Sequence, residues 1–174
     1  VKTKVYFSSN PSLLLALREI NEYINKDFTK IDFLIFSIHP EYSGNFNECI
    51  QKVFGRTDYA AFHALNAFSN RKITEKAVTV TAFKFEKNTK IKKFWIEDIR
   101  NYEKDNSIQK TAKYLNENSN DFHIMLAGYT EDRFGSFLEK LSNNINYNPV
   151  NNIIGGISSG MVIDNELRSW QFTN

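Results

Sequence analysis

The chain alternates short apolar runs with segments whose apolar residues recur at helical spacing, and this alternation continues almost to its end. Lys4-Val5-Tyr6-Phe7 predicts a short strand, closed by Ser8-Ser9-Asn10-Pro11, where Asn10 is placed to cap and Pro11 to take a first helical position. Leu13, Leu17, Ile20 and Ile24 then share one face of a helix that reaches about Asn25, leaving Arg18, Glu19 and Glu22 to solvent. Residues 31–38 are nearly all apolar, which predicts a strand covered on both faces, as a parallel sheet flanked by helices requires. His39-Pro40 ends that run, and a loop through Glu41-Tyr42-Ser43-Gly44 follows. Asn45 as cap, Glu48 three residues on, core positions Phe46, Cys49, Ile50 and Val53, and Gly55 as the stop define a second helix.

Residues 57–65 predict another buried strand, with a turn at Asn70-Arg71-Lys72. Residues 77–86 are rich in β-branched and aromatic side chains and predict a long strand that turns at Lys87-Asn88 into a second strand over 91–96, giving an antiparallel pair. Asp105 opens a helix carried by Ile108, Ala112 and Leu115, which ends in the polar run 116–120. Residues 122–127 predict a strand, broken at Gly128-Tyr129-Thr130. A helix follows with Thr130 as cap, Glu131 and Asp132 in its first turn, and Phe134, Phe137, Leu138 and Leu141 on one face. The chain returns through Asn148-Pro149 into Ile153-Ile154-Gly155-Gly156-Ile157-Ser158-Ser159-Gly160-Met161, then a hairpin turning at Asp164-Asn165 and a last strand running to Asn174. The expected fold is α/β: a mixed sheet with parallel centre strands, flanking helices and an antiparallel portion over 77–96 and 153–172. No repeat or low-complexity linker interrupts the pattern, so residues 1–174 read as a single domain. A first residue other than Met suggests a fragment excised from a larger signalling protein.

Charge and cysteine content narrow the function classes. Lysine plus arginine number 22 against 20 acidic residues, for a net charge of +2, and they are scattered along the chain. That lacks the concentrated positive field on which nucleic-acid or membrane-surface binding depends. A single cysteine, Cys49, excludes an intramolecular disulfide and a Cys-rich zinc site, and a reducing, cytoplasmic compartment is expected.

His39, His63 and His123 are too far apart for a short metal motif, and no metal or cofactor is expected. His39 sits where an apolar strand meets a loop, the edge at which open α/β sheets bind ligands, although capping the loop explains it as well. His63 and His123 read as structural side chains hydrogen-bonded to neighbouring carbonyls. Gly156-Ile157-Ser158-Ser159-Gly160 matches the bare Gly-x-Ser-x-Gly string, but a nucleophile elbow turns a strand into a helix, and this segment continues toward a hairpin. The adjacent Gly155-Gly156 allows a close main-chain approach, and hydroxyls beside it suit a polar ligand. Glu131 and Asp132 beside Gly128 would repel a phosphate, which disfavours nucleotide binding.

Three segments carry a family resemblance. They are Asp32-Phe33-Leu34-Ile35-Phe36-Ser37 with His39 and a capped helix following; residues 59–68 with Ile73 and the strand 77–85; and Ile153-Ile154-Gly155-Gly156-Ile157-Ser158-Ser159. Together they resemble the N-terminal half of a FIST sensory domain, a bacterial intracellular signal-transduction module. The family usually carries a Gly-Cys-Ser-Thr-x-Gly-like string in the strand and turn at 59–68, roughly where this chain has His63, Ala64, Leu65 and Asn66. The resemblance implies a cytoplasmic, non-catalytic module that binds a small polar, amino-acid-like metabolite and signals to an output domain such as a chemoreceptor, cyclase or kinase. Its expected ligand contacts are Gly155, Gly156, Ser158 and Ser159, with His39, His63 and Asn66 behind them. The rival readings are a serine hydrolase, using Ser158 or Ser159 with His39 or His63 as base, and a protein-interaction module without a small ligand.

Overall fold

A computed structural model describes residues 1–42, 45–69, 72–96, 99–128, 133–146, 152–168 and 171–173. In chain order its elements are β1 (Lys2–Ser8), α1 (Leu13–Asp27), β2 (Phe33–Ile38), α2 (Phe46–Phe54), β3 (Tyr59–His63), β4 (Ala67–Ser69), β5 (Lys72–Thr74) and β6 (Val78–Lys84). A 3₁₀ turn (Ile99–Asn101) leads to α3 (Ser107–Glu117), β7 (His123–Ala127), α4 (Arg133–Ser142), β8 (Ile153–Ile157), β9 (Met161–Ile163), β10 (Glu166–Arg168) and β11 (Gln171–Thr173). They gather into two compact units, one of Val1–Lys90 with Ser158–Asn174 and one of Ile91–Ile157. The crossing near Lys90 carries no Gly-, Ser- or Pro-rich stretch, whereas the one at Ile157 falls within Gly155-Gly156-Ile157-Ser158-Ser159-Gly160.

The first unit is built on a five-stranded mixed sheet in the order β1-β6-β2-β3-β11. Its parallel pair is β2–β3, in which Ile38 faces His63, and β6 lies antiparallel between β1 and β2. This is the α/β mixed sheet with parallel centre strands that the sequence pattern predicts. One face is closed by α1 and α2. Leu17, Ile20 and Ile24 of α1 and Ile50 of α2 pack with Leu34, Phe36, Ile38, Val78 and Val80 in one cluster. The rings of Phe54 and Tyr59 meet Phe36 edge-on at 5.3 and 5.7 Å.

Three expectations are corrected here. The apolar run 31–38 is not equally covered on both faces: Leu34, Phe36 and Ile38 are buried under the helices, while Phe33, Ile35 and Ser37 are only partly buried. The reason is that α1 and α2 contribute to the same core cluster on one side of the sheet. Residues 91–96 form no strand. Val78–Lys84 pairs instead with β1 and β2, which satisfies both of its edges and leaves no ladder for 91–96 to join. Helix α1 begins at Leu13 after Ser12, not at Pro11. Asn10 turns back, its Oδ1 accepting from the Ser12 amide at 3.1 Å and its Nδ2 donating to Glu19 at 2.8 Å.

Local chemistry is otherwise followed closely. Asn45 Oδ1 accepts from the Glu48 amide at 3.1 Å, and Gly55 ends α2 with φ of +63°. Asp164 and Asn165 take φ of +53° and +62°, which makes the two-residue turn of the β9–β10 hairpin. The loop residues Ser43 and Gly44, the turn residues Asn70 and Arg71, the cap of α4 at 129–132 and Asn148-Pro149 lie outside the described residues.

The second unit packs α3 and α4 together. Ile108, Ala112 and Leu115 cluster with Phe137 and Leu141, and Met125 and Ile153 pack against them. Leu138, expected on the same face, is instead 39% exposed, one position round the helix from Phe137. Asp105 accepts from the Ser107 amide and holds the start of α3. A fourth correction concerns residues 153–157, expected in an antiparallel portion. They pair parallel with β7, Met125 opposite Gly155. No helix among the described residues is long and apolar enough to cross a membrane.

Candidate functional site

The two parallel strands of the first unit, β2 and β3, finish on the same side of the sheet, and the loops that leave them there bring polar groups together. β1 runs in the same direction, being antiparallel to β6 as β2 is, so Ser8 and Asn10 follow on that side too. The edge is built by main-chain bonds: Ala64 N donates to Ile38 O at 3.1 Å, His39 N to Ala77 O at 3.2 Å, and Tyr42 N to His39 O at 3.1 Å.

His39 is buried, and its Nδ1 accepts from the Glu41 amide at 3.2 Å. That bond assigns the proton of the neutral ring to Nε2. Burial pushes the imidazole below its ordinary range; the Glu41 carboxylate opposes this and the Lys76 ammonium adds to it. His39 therefore caps its own loop, one of the two roles its position in the sequence suggests. Tyr42 fills the space beneath the loop, its hydroxyl donating to Asn10 O at 2.7 Å. Over its ring sits Lys76 Nζ, 5.3 Å from the centroid and 3.5 Å from the Glu41 carboxylate.

His63 ends β3, fully buried, with its ring edge-on to Phe46 at 5.3 Å. Its carbonyl accepts two bonds from a segment 95 positions later: Ser158 Oγ and Ser159 N, both at 3.0 Å. Ser158 is only 2% exposed, while Ser159 is partly exposed. The Ser158 hydroxyl thus donates to a main-chain carbonyl, in a connection that leads to β9 rather than into a helix. Asn66, two residues past Ala64, is exposed.

The expected site residues are accordingly divided. His39, His63, Asn66, Ser158 and Ser159 belong to the first unit, whereas Gly155 and Gly156 lie on β8 of the second. A Cβ on Gly155 would stand 1.9 Å from Met125 O, so glycine there is what allows β8 to approach β7. Gly156 has open space around its Cβ direction. His123 is structural, its Nε2 lying 3.0 Å from Asn118 O. Sequence reasoning missed Tyr42, Glu41 and Lys76. An aromatic between a strand end and a helix cap was the available signal for Tyr42, and nothing local marks the pairing of Glu41 with Lys76. Among the described residues, no group of three His, Cys, Asp or Glu side chains is placed to hold a metal ion.

With this geometry, the edge offers a neutral imidazole N–H, a hydroxyl-bearing turn and a half-exposed pair of opposite charges. Such a set suits a small zwitterion better than an anion or an apolar ligand. Among known proteins the chain is similar to an "Uncharacterized protein" of Aquifex aeolicus (strain VF5), 29% identical over 180 residues. The similarity takes in 99% of this chain but 66% of the relative, so the chain spans about two thirds of that protein's length. No protein-family model matches the chain, and no solved structure matches it.

Proposed function

We propose that this protein is a cytoplasmic sensory module of the FIST type, binding a small polar, amino-acid-like metabolite without catalysis and signalling to an output domain such as a chemoreceptor, cyclase or kinase. The observation that carries the reading is convergence: three separated segments, 39–42, 63–66 and 158–159, meet at the carboxyl edge of the parallel pair β2–β3. Open α/β sheets bind their ligands at such edges. The Glu41–Lys76 pair matches the two charges of an amino acid, and His39 Nε2–H and Ser159 are the neutral contacts in this reading, with His63 and Asn66 shaping the wall. Donation of the Ser158 hydroxyl to the His63 carbonyl favours binding over nucleophilic attack.

A thermal-shift screen against amino acids and related metabolites tests it. A ligand present at 100 times its Kd stabilises the folded state by about 2.7 kcal/mol, which for a chain of this size raises Tm by about 5–11 °C. A flat screen at millimolar concentration contradicts the reading and favours a protein-interaction module. Stoichiometric labelling of Ser158 or Ser159 by a fluorophosphonate contradicts it in favour of a hydrolase.

A further inference from the structure

The ladder of the second unit presents an uncovered face. Side chains alternate across β7 and β8, and Met125 and Ile153 turn onto the cluster around α3 and α4. Ile124 and Leu126, with Ile154 and Gly156 opposite them in register, therefore share the outward face, and Phe122 directly precedes it. Phe122 is 63% exposed, Ile124 41% and Ile154 56%. Among the described residues the face is apolar over 124–126 and 154–156, with Asn152 bordering it opposite Phe122 and donating from Nδ2 to Ser119 O at 2.6 Å, and Gly156 leaves open space.

Such a surface is out of keeping with how parallel strands are normally housed. They occur covered on both faces, and a two-stranded ladder by itself is marginally stable in water. Among the described residues neither strand has a second ladder partner, so each keeps one edge of main-chain donors and acceptors open. Contiguous exposed apolar surface of this kind marks a docking site.

The choice of occupant follows from length. The Aquifex relative resembles this chain along 99% of the chain, and about a third of the relative lies beyond the similarity. We propose that the outward face of β7 and β8 seats a segment homologous to that unmatched third, which adds at least one strand to the ladder and covers Phe122, Ile124 and Ile154. Such a segment finds two things here: a free main-chain edge for its pairing strand, and beside it an apolar face against which the rest of the segment can pack.

Hydroxyl-radical footprinting of the 174-residue chain and of the intact Aquifex relative tests this. The expected result is rapid labelling of Phe122, Ile124 and Ile154 in the chain, and labelling several-fold slower at the aligned positions of the relative once each rate is divided by the intrinsic reactivity of its side chain, unchanged on dilution. Equal labelling in the two proteins overturns the proposal. So does protection in the 174-residue chain itself: if dilution relieves it, the occupant is a second copy, and if dilution does not, the face is covered within the chain. The variant Ile154→Thr adds a check, because it replaces a side chain that is 56% exposed by another β-branched one without adding charge. It should leave the melting temperature of the 174-residue chain unchanged, and a marked drop would show that the face is already in use.

Discussion

Substituting alanine at Gly155 and, separately, at Gly156 gives opposite expectations at neighbouring positions of one strand. At Gly155 the new methyl would stand 1.9 Å from Met125 O and 2.8 Å from Met125 C, both main-chain atoms of the facing strand. Van der Waals contact between carbon atoms lies near 3.5–4.0 Å, so the strands must separate, and the ladder that pairs Met125 with Gly155 weakens. Overpacking of a rigid site costs about 1–3 kcal/mol, occasionally more, equivalent to a fall in Tm of roughly 2–12 °C for a chain of this size. At Gly156 nothing lies within 4 Å of the added methyl. Replacing a strand glycine by alanine there should stabilise by about 0.5–1 kcal/mol, through the lower entropy of the unfolded chain. Urea denaturation measures both variants, and amide hydrogen exchange at 123–127 localises the effect. G155A as stable as G156A would refute the packing argument.

Three further expectations follow. The His39 imidazole is held below its ordinary value by burial, so the folded state binds its proton less readily than the unfolded chain does. The stability this confers is complete above the unfolded pKa, about 6.5, and is lost as pH falls from there toward the folded value; H39N, whose Oδ1 can still accept from the Glu41 amide, should flatten that dependence in urea titrations. Asn45→Ala removes the acceptor for the Glu48 amide and should cost about 0.5–2 kcal/mol, read as a lower urea midpoint with an unchanged m-value. Lys76→Ala should weaken binding of an amino-acid-like ligand by about tenfold or more, since a charge-assisted hydrogen bond contributes about 1.5–3 kcal/mol; an unchanged Kd by calorimetry removes Lys76 from the site.

What was legible in the sequence is what local chemistry decides. The start and stop of α2 could be read because Asn45, Glu48 and Gly55 act within one turn of their own backbone, and the apolar face of α1 because it repeats every three or four residues. The β9–β10 turn was legible for the same reason, as Asp and Asn tolerate positive φ. Pairing was not. Residues 91–96 have the composition of a strand, but composition does not name a partner, and β6 took both of its partners from far up the chain. Residues 153–157 likewise went parallel to β7, some thirty positions earlier. At the candidate site, His39 announced itself as the end of an apolar run. The bonds from Ser158 and Ser159 to the His63 carbonyl, and the seating of Lys76 over Tyr42, exist only because of tertiary convergence, which no short stretch of sequence encodes.

Binding of a small polar metabolite at the carboxyl edge of β2–β3 can be read from ¹H–¹⁵N correlation spectra of the 174-residue protein titrated with amino acids at millimolar concentration. The prediction is a saturable shift of a small set of amides at 39–42, 63–66 and 158–160, with the second unit's α3 and α4 unmoved. No saturable shift with any of them, or shifts centred away from those three segments, would contradict it.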